Sequence, residues 1–308
     1  MDLSANICGL KIDPAWGNGS GVFSKLERLK KIMEYDIGWG FVKSTGLKPR
    51  AGNLEPTIAQ ITEDTFINAM GLPNCGYRNL KEELKELYPF NKPIVCSVYG
   101  ETEDETAEVA KYLEDCCDAV ELNFSCPNIK PNERTGVTIG RDPERVRSFT
   151  EAVKNKVNKP VIVKLTPSVY DIGEIAKAAE DAGADAISAI NTMPGGMLID
   201  IYAKKPVLTA KFGGVSGRGI KGIAVGSIYK IYESVDVPVI GGGGITNAKD
   251  LIEIVEAGAS VGSISTDFRE KRNSEIEMSL IGMGGAVEII LEKMGASSLK
   301  ELVGVAHE

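Results

Sequence analysis

A strand–helix–strand unit occupies residues 161–191, which read VIVKLTPSVYDIGEIAKAAEDAGADAISAIN. The first and last runs, VIVKL and AISAI, are short and rich in β-branched residues, as buried strands are. Between them, DIGEIAKAAEDAG has apolar residues at helical spacing and charged residues on the opposite face. Two strands that are joined by a helix pair in parallel, so this unit predicts a parallel sheet with helices packed on it.

The same alternation continues along the rest of the chain. The predicted strands begin near Phe41, Ile67, Ile94, Ala119, Val161, Ala186, Val237 and Ser260. Eight strand–helix units are the number that closes a (β/α)₈ barrel, and a doubly wound open sheet is the alternative. We therefore predict an α/β protein with a single (β/α)₈ TIM barrel domain over residues 1–308. Its inserted loops would follow the fourth strand (128–142) and the sixth (193–219), at the C-terminal face.

Composition and charge exclude several classes of protein. Of the 308 residues, 43% are hydrophobic, and the chain also contains 34 glycines. This composition provides enough apolar material for one sizeable core. The net charge of −8 and the lack of a basic cluster argue against a nucleic-acid partner. No run approaches the roughly 20 apolar residues of a membrane span, and the start does not resemble a signal peptide. We expect a soluble, cytoplasmic protein.

Histidine and cysteine usage restricts the chemistry further. The one histidine, His307, stands next to the last residue, which argues against Ser-His-Asp triads and histidine-rich zinc sites. The six cysteines, at 8, 75, 96, 116, 117 and 126, include no C-x-x-C pair, so neither a disulfide framework nor an iron–sulfur cluster fits. We expect no metal site and mostly buried cysteines. Proton transfer is left to Cys, Lys, Tyr, Asp or Glu.

Polar or glycine-rich groups follow every predicted strand. In chain order they are Lys43-Ser44, Asn68, Ser97, Asn123 with Cys126, Lys164, Asn191-Thr192, Gly243-Gly244 and Ser265-Thr266. In a barrel these groups gather at one face, where active sites form. Any single group is as easily explained by a solvated loop, but eight together indicate a small-molecule site. The two lysines are notable because lysine is rarely buried without a partner.

The last two strand ends favour a phosphate ligand. GGGG (241–244) and ST (265–266) follow the seventh and eighth predicted strands, where barrels often bind phosphate. Glycines let main-chain N–H groups approach an anion, although a glycine run serves a tight turn equally well. A lysine from another strand would then face a phosphorylated cofactor.

Cys126 is the candidate reactive group. It lies in NFSCPN (123–128), just past a predicted strand. Most such cysteines are inert buried thiols, but a free thiol titrates near pH 8.5 and can accept a proton. Nearby asparagines offer both donors and acceptors to an amide-rich ligand, although any one of them is also explained by turn chemistry; they are Asn68, Asn74, Asn123, Asn128 and Asn191.

Several longer motifs resemble those of a known family. They are NAMGLPNCG (68–76), NFSCPN (123–128), VKLTP (163–167), INT (190–192) and GGVSGRGIKGIA (213–224), with GSG (19–21), KST (43–45) and GGGGI (241–245). With these motifs in this order, the chain resembles the class 1 dihydroorotate dehydrogenases, FMN-dependent (β/α)₈ barrels of pyrimidine biosynthesis. INT followed by GMLID (196–200) is similar to the branch that works with a separate electron-transfer subunit.

The resemblance implies a role for each matching residue. FMN would contact Gly19, Ser20, Lys43, Ser44, Asn123, Lys164, Ile190, Gly217, Gly243, Gly244, Ser265 and Thr266. The pyrimidine would contact Lys43, Asn68, Met70, Gly71, Leu72, Asn123, Asn128, Asn191 and Thr192. Cys126 would be the base that removes a proton from C5 of dihydroorotate while a hydride leaves C6. The resemblance also implies a homodimer and an iron–sulfur flavoprotein partner.

Three details complete these expectations. Pro194-Gly195 lengthens the segment after INT, and Ser265 stands where the family usually has a glycine. Residues 129–142, with Gly136 and Gly140 as hinges, would form a mobile lid over the substrate.

Alternative functions remain open from the sequence. A dihydropyrimidine dehydrogenase shares the motifs, but it carries additional domains and iron–sulfur cysteines. A Schiff-base lyase would use Lys164 as its nucleophile, and a phosphate-binding barrel would have no catalysis.

Overall fold

Eight parallel strands form the centre of the molecule. The computed structural model describes residues 1–87, 89–126, 135–269 and 271–307. In chain order the strands are β1 (Trp16–Asn18), β2 (Gly40–Phe41), β3 (Ile94–Val98), β4 (Ala119–Asn123), β5 (Val161–Lys164), β6 (Ala186–Ala189), β7 (Val239–Gly242) and β8 (Ala259–Ile264). The ladder runs in the order β1-β8-β7-β6-β5-β4-β3-β2, and each pair is parallel. This arrangement confirms the predicted (β/α)₈ barrel.

The barrel closes between β1 and β2 without a regular strand ladder. The Gly38 N–H donates to the carbonyl of Trp16 at 2.7 Å. The side chain of Asn18, which is fully buried, then donates to the Phe41 carbonyl at 2.9 Å and accepts from the Phe41 N–H at 3.1 Å. A side-chain amide therefore takes the place of main-chain pairing at this seam.

Helices cover the outside of the barrel. They are α1 (Leu26–Ile32), α2 (Tyr77–Leu87), α3 (Glu103–Leu113), α4 (Pro143–Lys154), α5 (Ile172–Asp181), α6 (Lys221–Tyr232), α7 (Ala248–Glu256), α8 (Thr266–Arg269) and α9 (Asn273–Met294). Several begin at a residue that caps free main-chain N–H groups: Asp142, for example, accepts from Glu144 and Arg145 before Pro143 opens α4. Every residue of β3 to β7 is buried, which explains their continuous apolar runs.

One predicted barrel strand was wrong. The run near Ile67 forms the strand Thr65–Asn68, which pairs antiparallel with Ile58–Thr62 and Gly213–Gly217, outside the barrel. The first barrel strand is instead Trp16–Asn18. It was missed because it has three residues and no β-branched run, whereas Thr65–Asn68 has the composition of a strand without a signal for its partner.

A second sheet of four strands stands beside the C-terminal ends of the barrel strands. Its order is Met193–Gly196, Gly213–Gly217, Thr65–Asn68, Ile58–Thr62. The predicted insertion after β6 supplies two of these strands, and the segment after β2 supplies the other two. Two short antiparallel pairs lie elsewhere, Ala5–Ile7 with Leu10–Ile12 and Ile199–Asp200 with Lys205–Pro206.

The six cysteines are all free thiols. Cys96, Cys117 and Cys126 are buried, whereas the other three are partly exposed, so the expectation of mostly buried cysteines holds for half of them. None of the helices among the described residues combines the length and the apolar character that a bilayer crossing requires.

Candidate active site

A cavity of about 290 Å³ opens where the barrel strands end, with the second sheet as one wall. This volume is close to the lower end of the range for small-molecule sites, roughly 300 Å³. Most residues predicted for the cofactor and the substrate line it: Ser20, Lys43, Ser44, Asn68, Met70, Gly71, Leu72, Asn123, Cys126, Lys164, Ile190, Asn191, Thr192, Gly217, Gly243, Gly244, Ser265 and Thr266. Gly19, which was also predicted to contact the cofactor, does not line the cavity but lies next to Ser265, which does. Asn128 and residues 129–134, the first six of the fourteen residues of the predicted lid, lie outside the described residues.

Two lysines reach the cavity without a carboxylate partner among the described residues. Lys164, which is 8% exposed, donates to the Ser20 hydroxyl at 3.1 Å. Burial lowers the pKa of Lys43 below its ordinary value of 10.5. Cys126 opposes that shift, while the charges on Arg269 and Lys164 add to it. Cations in such a setting are stabilised by an anionic ligand.

Cys126 faces the cavity from the end of β4. It is 7% exposed and packs against Leu72 and Tyr99. Its carbonyl accepts a hydrogen bond from the N–H of Val137 at 3.0 Å. Gly136 precedes that residue with φ of 55° and lies so close to Cys126 that a Cβ there would be 2.6 Å from its carbonyl oxygen. The described end of the insertion after β4 therefore packs against the main chain of the predicted base.

Glycine is required in the loop after β7. Gly243 and Gly244 have φ of 136° and 85°, a region that other residues rarely adopt. A Cβ on Gly244 would lie 2.8 Å from the Cβ of Lys221. The loop therefore brings main chain to the cavity wall without side chains of its own, as the predicted phosphate site requires.

The unusual Ser265 is accommodated by Gly19. A Cβ on Gly19 would lie 2.4 Å from the Ser265 hydroxyl oxygen and 2.7 Å from that of Ser263. Both hydroxyls therefore occupy space that a side chain at position 19 would fill. Ser265 keeps its place on the cavity wall, and its hydroxyl is directed toward the β1 loop.

Polar side chains along the cavity have partners that fix their direction. Asn191 donates to the Ser125 hydroxyl at 2.9 Å, and its Oδ1 accepts from the N–H of Thr192 at 2.7 Å. Asn68 donates to the Gly214 carbonyl at 3.4 Å. The hydroxyl of Thr192 is buried and has no hydrogen-bond partner among the described residues. An orphaned hydroxyl on a cavity wall is satisfied when a polar ligand is bound.

Some lining residues were not found from the sequence. Lys271 pairs with Asp267 at 2.7 Å, and an Arg269 nitrogen lies 3.7 Å from the sulfur of Met70. Glu63, Asp64, Ser188, Ser216 and Ser263 also reach the wall. The signal for Arg269 and Lys271 was their place three and five residues after Thr266, close to the end of the last predicted strand. Glu63 and Asp64 reach the wall because they lie in the turn between the antiparallel strands Ile58–Thr62 and Thr65–Asn68, and this pairing was not predicted from the sequence.

Comparisons with a family model and with individual proteins point to the same family. Residues 2–282 match the sequence model of the family described as dihydroorotate dehydrogenase. A protein of Thermococcus kodakarensis named "Dihydroorotate dehydrogenase B (NAD(+)), catalytic subunit" is 41% identical, over 99% of this chain and 98% of that protein. Proteins with the same name from Pyrococcus abyssi and Methanocaldococcus jannaschii are each 42% identical over 99% of this chain, covering 99% and 98% of their own lengths.

Proposed function

The chain belongs to the dihydroorotate dehydrogenase family, and from this premise we propose that it oxidises dihydroorotate to orotate with FMN as cofactor and Cys126 as general base. The observation that carries the proposal is the convergence in one cavity of a thiol, two lysines without described carboxylate partners, and three asparagines. Orotate is an anionic ring with several acceptor oxygens, which suits a wall rich in N–H donors and positive charge.

FMN fits the described residues. Members of this family are flavin-dependent dehydrogenases. The glycine loop at 243–244, Ser265 and Thr266 would hold the phosphate, while Lys164 would face the flavin ring. The G-x-G-x-x-G pattern at 217–222 follows a strand that pairs antiparallel in the second sheet, and not a strand of the parallel βαβ unit that binds the pyrophosphate of a dinucleotide, so we expect the monophosphate and not FAD. When bound, FMN supplies a two-electron acceptor for the hydride from C6 of dihydroorotate.

The chain's own residues would orient the substrate and move the proton. Cys126 would take the proton from C5, so that loss of that proton and of a hydride from C6 gives the ring double bond of orotate. Lys43 would pair with the negative charge of the substrate, and Asn68, Asn123 and Asn191 would bind its ring. The apolar neighbours of Cys126, Leu72 and Tyr99, would exclude water from this corner of the cavity.

One assay tests the proposed function. The purified protein, supplied with FMN, should reduce an artificial dye with dihydroorotate and far more slowly with dihydrouracil. A preference for dihydrouracil would favour the dihydropyrimidine dehydrogenase alternative. A protein that stays colourless after saturation with FMN would contradict both and return attention to the Schiff-base alternative.

The partner is also part of the proposal. The relatives are named as catalytic subunits of an NAD(+)-type enzyme, which implies a separate electron-transfer subunit for those proteins. We propose the same for this chain, with a homodimeric catalytic core, an iron–sulfur flavoprotein as the partner, and a cytoplasmic location.

A further inference from the structure

A chain of five hydrogen bonds, four of them buried and the one at Asn191 partly buried, connects the cavity wall to a carboxylate inside the barrel. It joins Asn191 Nδ2 to Ser125 Oγ (2.9 Å), Ser125 Oγ to Asn123 Oδ1 (3.1 Å), Asn123 Nδ2 to Ser44 Oγ (2.9 Å), Ser44 Oγ to Ser97 Oγ (2.8 Å) and Ser97 Oγ to Glu121 Oε1 (2.8 Å). The chain thus links side chains that come from β3, β4 and the segments after β2, β4 and β6.

Glu121 is the terminus of this chain and does not line the cavity. Its side chain lies in the barrel interior, with the residue 1% exposed. Its second oxygen, Oε2, has no hydrogen-bond partner among the described residues. Burying a carboxylate is costly unless it is well bonded, and a network in a low-dielectric interior is worth more than its separate bonds. A carboxylate retained here at that cost points to a role beyond packing.

The direction of the chain follows from its carboxylate end. Each serine hydroxyl has one proton, and Glu121 Oε1 is the acceptor of the Ser97 hydroxyl, at 2.8 Å. The Ser97 hydroxyl therefore gives its proton to Glu121 and must accept from Ser44. Because the Ser44 proton is then directed at Ser97, Ser44 can only accept from the Nδ2 of Asn123. The carboxylate thus fixes the direction of both hydroxyls, and it requires the same orientation of the Asn123 amide as the Ser125 main-chain N–H, which donates to Asn123 Oδ1 at 3.2 Å.

The remaining bonds carry the same direction to a second amide. With its Nδ2 toward Ser44, Asn123 turns Oδ1 toward Ser125, whose hydroxyl and main-chain N–H both donate to it, at 3.1 and 3.2 Å. The Ser125 oxygen then has no proton for Asn191 and accepts from Asn191 Nδ2. Each asparagine therefore keeps one N–H group that the chain does not use, and both residues line the cavity.

We propose that Glu121 is a positioning residue that acts through Ser97 and Ser44 and, together with the main-chain N–H groups of Ser125 and Thr192, holds the Asn123 and Asn191 amides as N–H donors toward the acceptor oxygens of the bound pyrimidine. This inference rests on the proposed function for the identity of that pyrimidine. Glu121 itself touches neither substrate nor cofactor. Its role is to supply the final acceptor, so that no hydroxyl in the chain can reverse.

The test measures orotate binding to FMN-loaded protein through the change in flavin absorbance. Ser97→Ala, which breaks the chain but keeps the carboxylate, should weaken orotate binding about tenfold. Glu121→Leu should have a similar effect, whereas Glu121→Gln, which keeps an acceptor oxygen for Ser97, should stay within about threefold of wild type. The control is Thr150→Val, because the buried Thr150 hydroxyl bonds only within α4, to the Val146 carbonyl at 2.7 Å. It should lose thermal stability but not orotate affinity.

Combination of the variants separates positioning from general destabilisation. If Glu121 acts through Ser97, the double variant should bind orotate no more weakly than the worse single variant. The inference would be overturned if the double variant lost orotate affinity by the product of the two single losses, or if Ser97→Ala bound orotate as tightly as wild type. It would also be overturned if Glu121→Gln bound orotate as weakly as Glu121→Leu.

Neutron diffraction of the deuterated wild-type protein tests the chain without any ligand. The expected deuteron positions are on Ser97 toward Glu121, on Ser44 toward Ser97 and on Asn123 Nδ2 toward Ser44. A Ser97 deuteron directed at Ser44 would refute the inference, whatever orotate does. A wild-type protein that binds no orotate would refute the proposed function instead. In that case the deuteron positions alone would decide whether the hydroxyls and amides of the chain have the proposed orientation.

Discussion

The side-chain amide of Asn18 and the main chain of Phe41 exchange two hydrogen bonds, of 2.9 and 3.1 Å, at the point where the barrel closes. No strand ladder joins β1 and β2 in the described structure, and both strands are short. The loops that follow these strands carry Ser20 and Lys43 to the cavity wall. The Asn18 amide therefore fixes the spacing of two elements of the candidate site.

Asn18→Ala should lower the free energy of unfolding by about 2–4 kcal/mol, because it leaves the buried N–H and carbonyl of Phe41 without partners. Urea unfolding followed by circular dichroism measures this loss. Asn158→Ala is the matched control: Asn158 is exposed, and its replacement should change stability by less than about 0.5 kcal/mol. A loss of that small size in Asn18→Ala would show that the seam does not depend on this amide.

The contrast between β1 and β5 explains how much of the fold the sequence predicts. The segment of β5 and α5 was recognised because VIVK is β-branched and Asp171 caps a helix with an apolar face. In contrast, Trp16-Gly17-Asn18 has no such pattern, and its place is set by β8 on one side and the Asn18 amide on the other. Local periodicity also cannot report the partner of a strand, which is why the run at Ile67 was assigned to the wrong sheet.

The candidate site likewise contains residues that the sequence predicts and residues that it does not. Lys43, Lys164 and Cys126 were found because they follow strand-like runs, and the structure places all three at one cavity. Arg269 was missed because it lies beyond the strand end, on a short helix. Glu121 was missed because only the closed barrel turns its side chain toward Ser97.

Cys126→Ser should keep FMN and bind orotate, while reduction of the flavin by dihydroorotate slows by about 10² to 10⁴-fold, the usual contribution of a general base. A serine hydroxyl is of similar size but is a much poorer base, and the remaining rate should rise with pH. Anaerobic stopped-flow measurement of flavin bleaching gives the rate. Cys96→Ser, a buried thiol of the core, is the control and should keep the wild-type rate. A Cys126→Ser protein as fast as wild type at pH 7 would make Cys126 a packing residue.

Orotate affinity should fall with rising pH, beginning below pH 10.5. Burial, together with Arg269 and Lys164, lowers the pKa of Lys43, so its ammonium is lost earlier than that of an ordinary lysine. Only the protonated form pairs with the orotate carboxylate, and the dissociation constant therefore rises through this pKa. The measurement belongs in the Cys126→Ser background, because the charge state of Cys126 also acts on Lys43. Lys43→Gln should bind weakly at all pH values; a pH dependence that persists in this variant would assign it to another group.

Acid extraction of the purified protein should release FMN and no FAD. Gly244→Ala should lower the flavin content, because position 244 has φ of 85° and a Cβ would meet Lys221 at 2.8 Å. The control is Gly222→Ala, on α6, where nothing lies within 4 Å of the added Cβ and where alanine suits a helix. The ratio of flavin to protein absorbance reports the result, with thermal unfolding to confirm that both variants are folded. Recovery of FAD from wild type, or full flavin content in Gly244→Ala, would contradict the monophosphate site.

The isolated chain should oxidise dihydroorotate with an artificial dye but not with NAD or fumarate. Reduced flavin must pass its electrons on. The sequence has no C-x-x-C spacing for a cluster, and its G-x-G-x-x-G pattern at 217–222 follows an antiparallel strand and not the parallel βαβ unit that binds NAD. A separate subunit with its own cofactors satisfies this need, in agreement with the names of the relatives.

The measurement is turnover by the purified chain with each acceptor in turn, followed by the same assay after addition of the electron-transfer subunit. NAD reduction should appear only in the second case, because only then does a path lead from the flavin to the nucleotide. Turnover with NAD or fumarate by the chain alone, at the rate seen with the dye, would show that the acceptor enters the cavity directly and that no partner is needed.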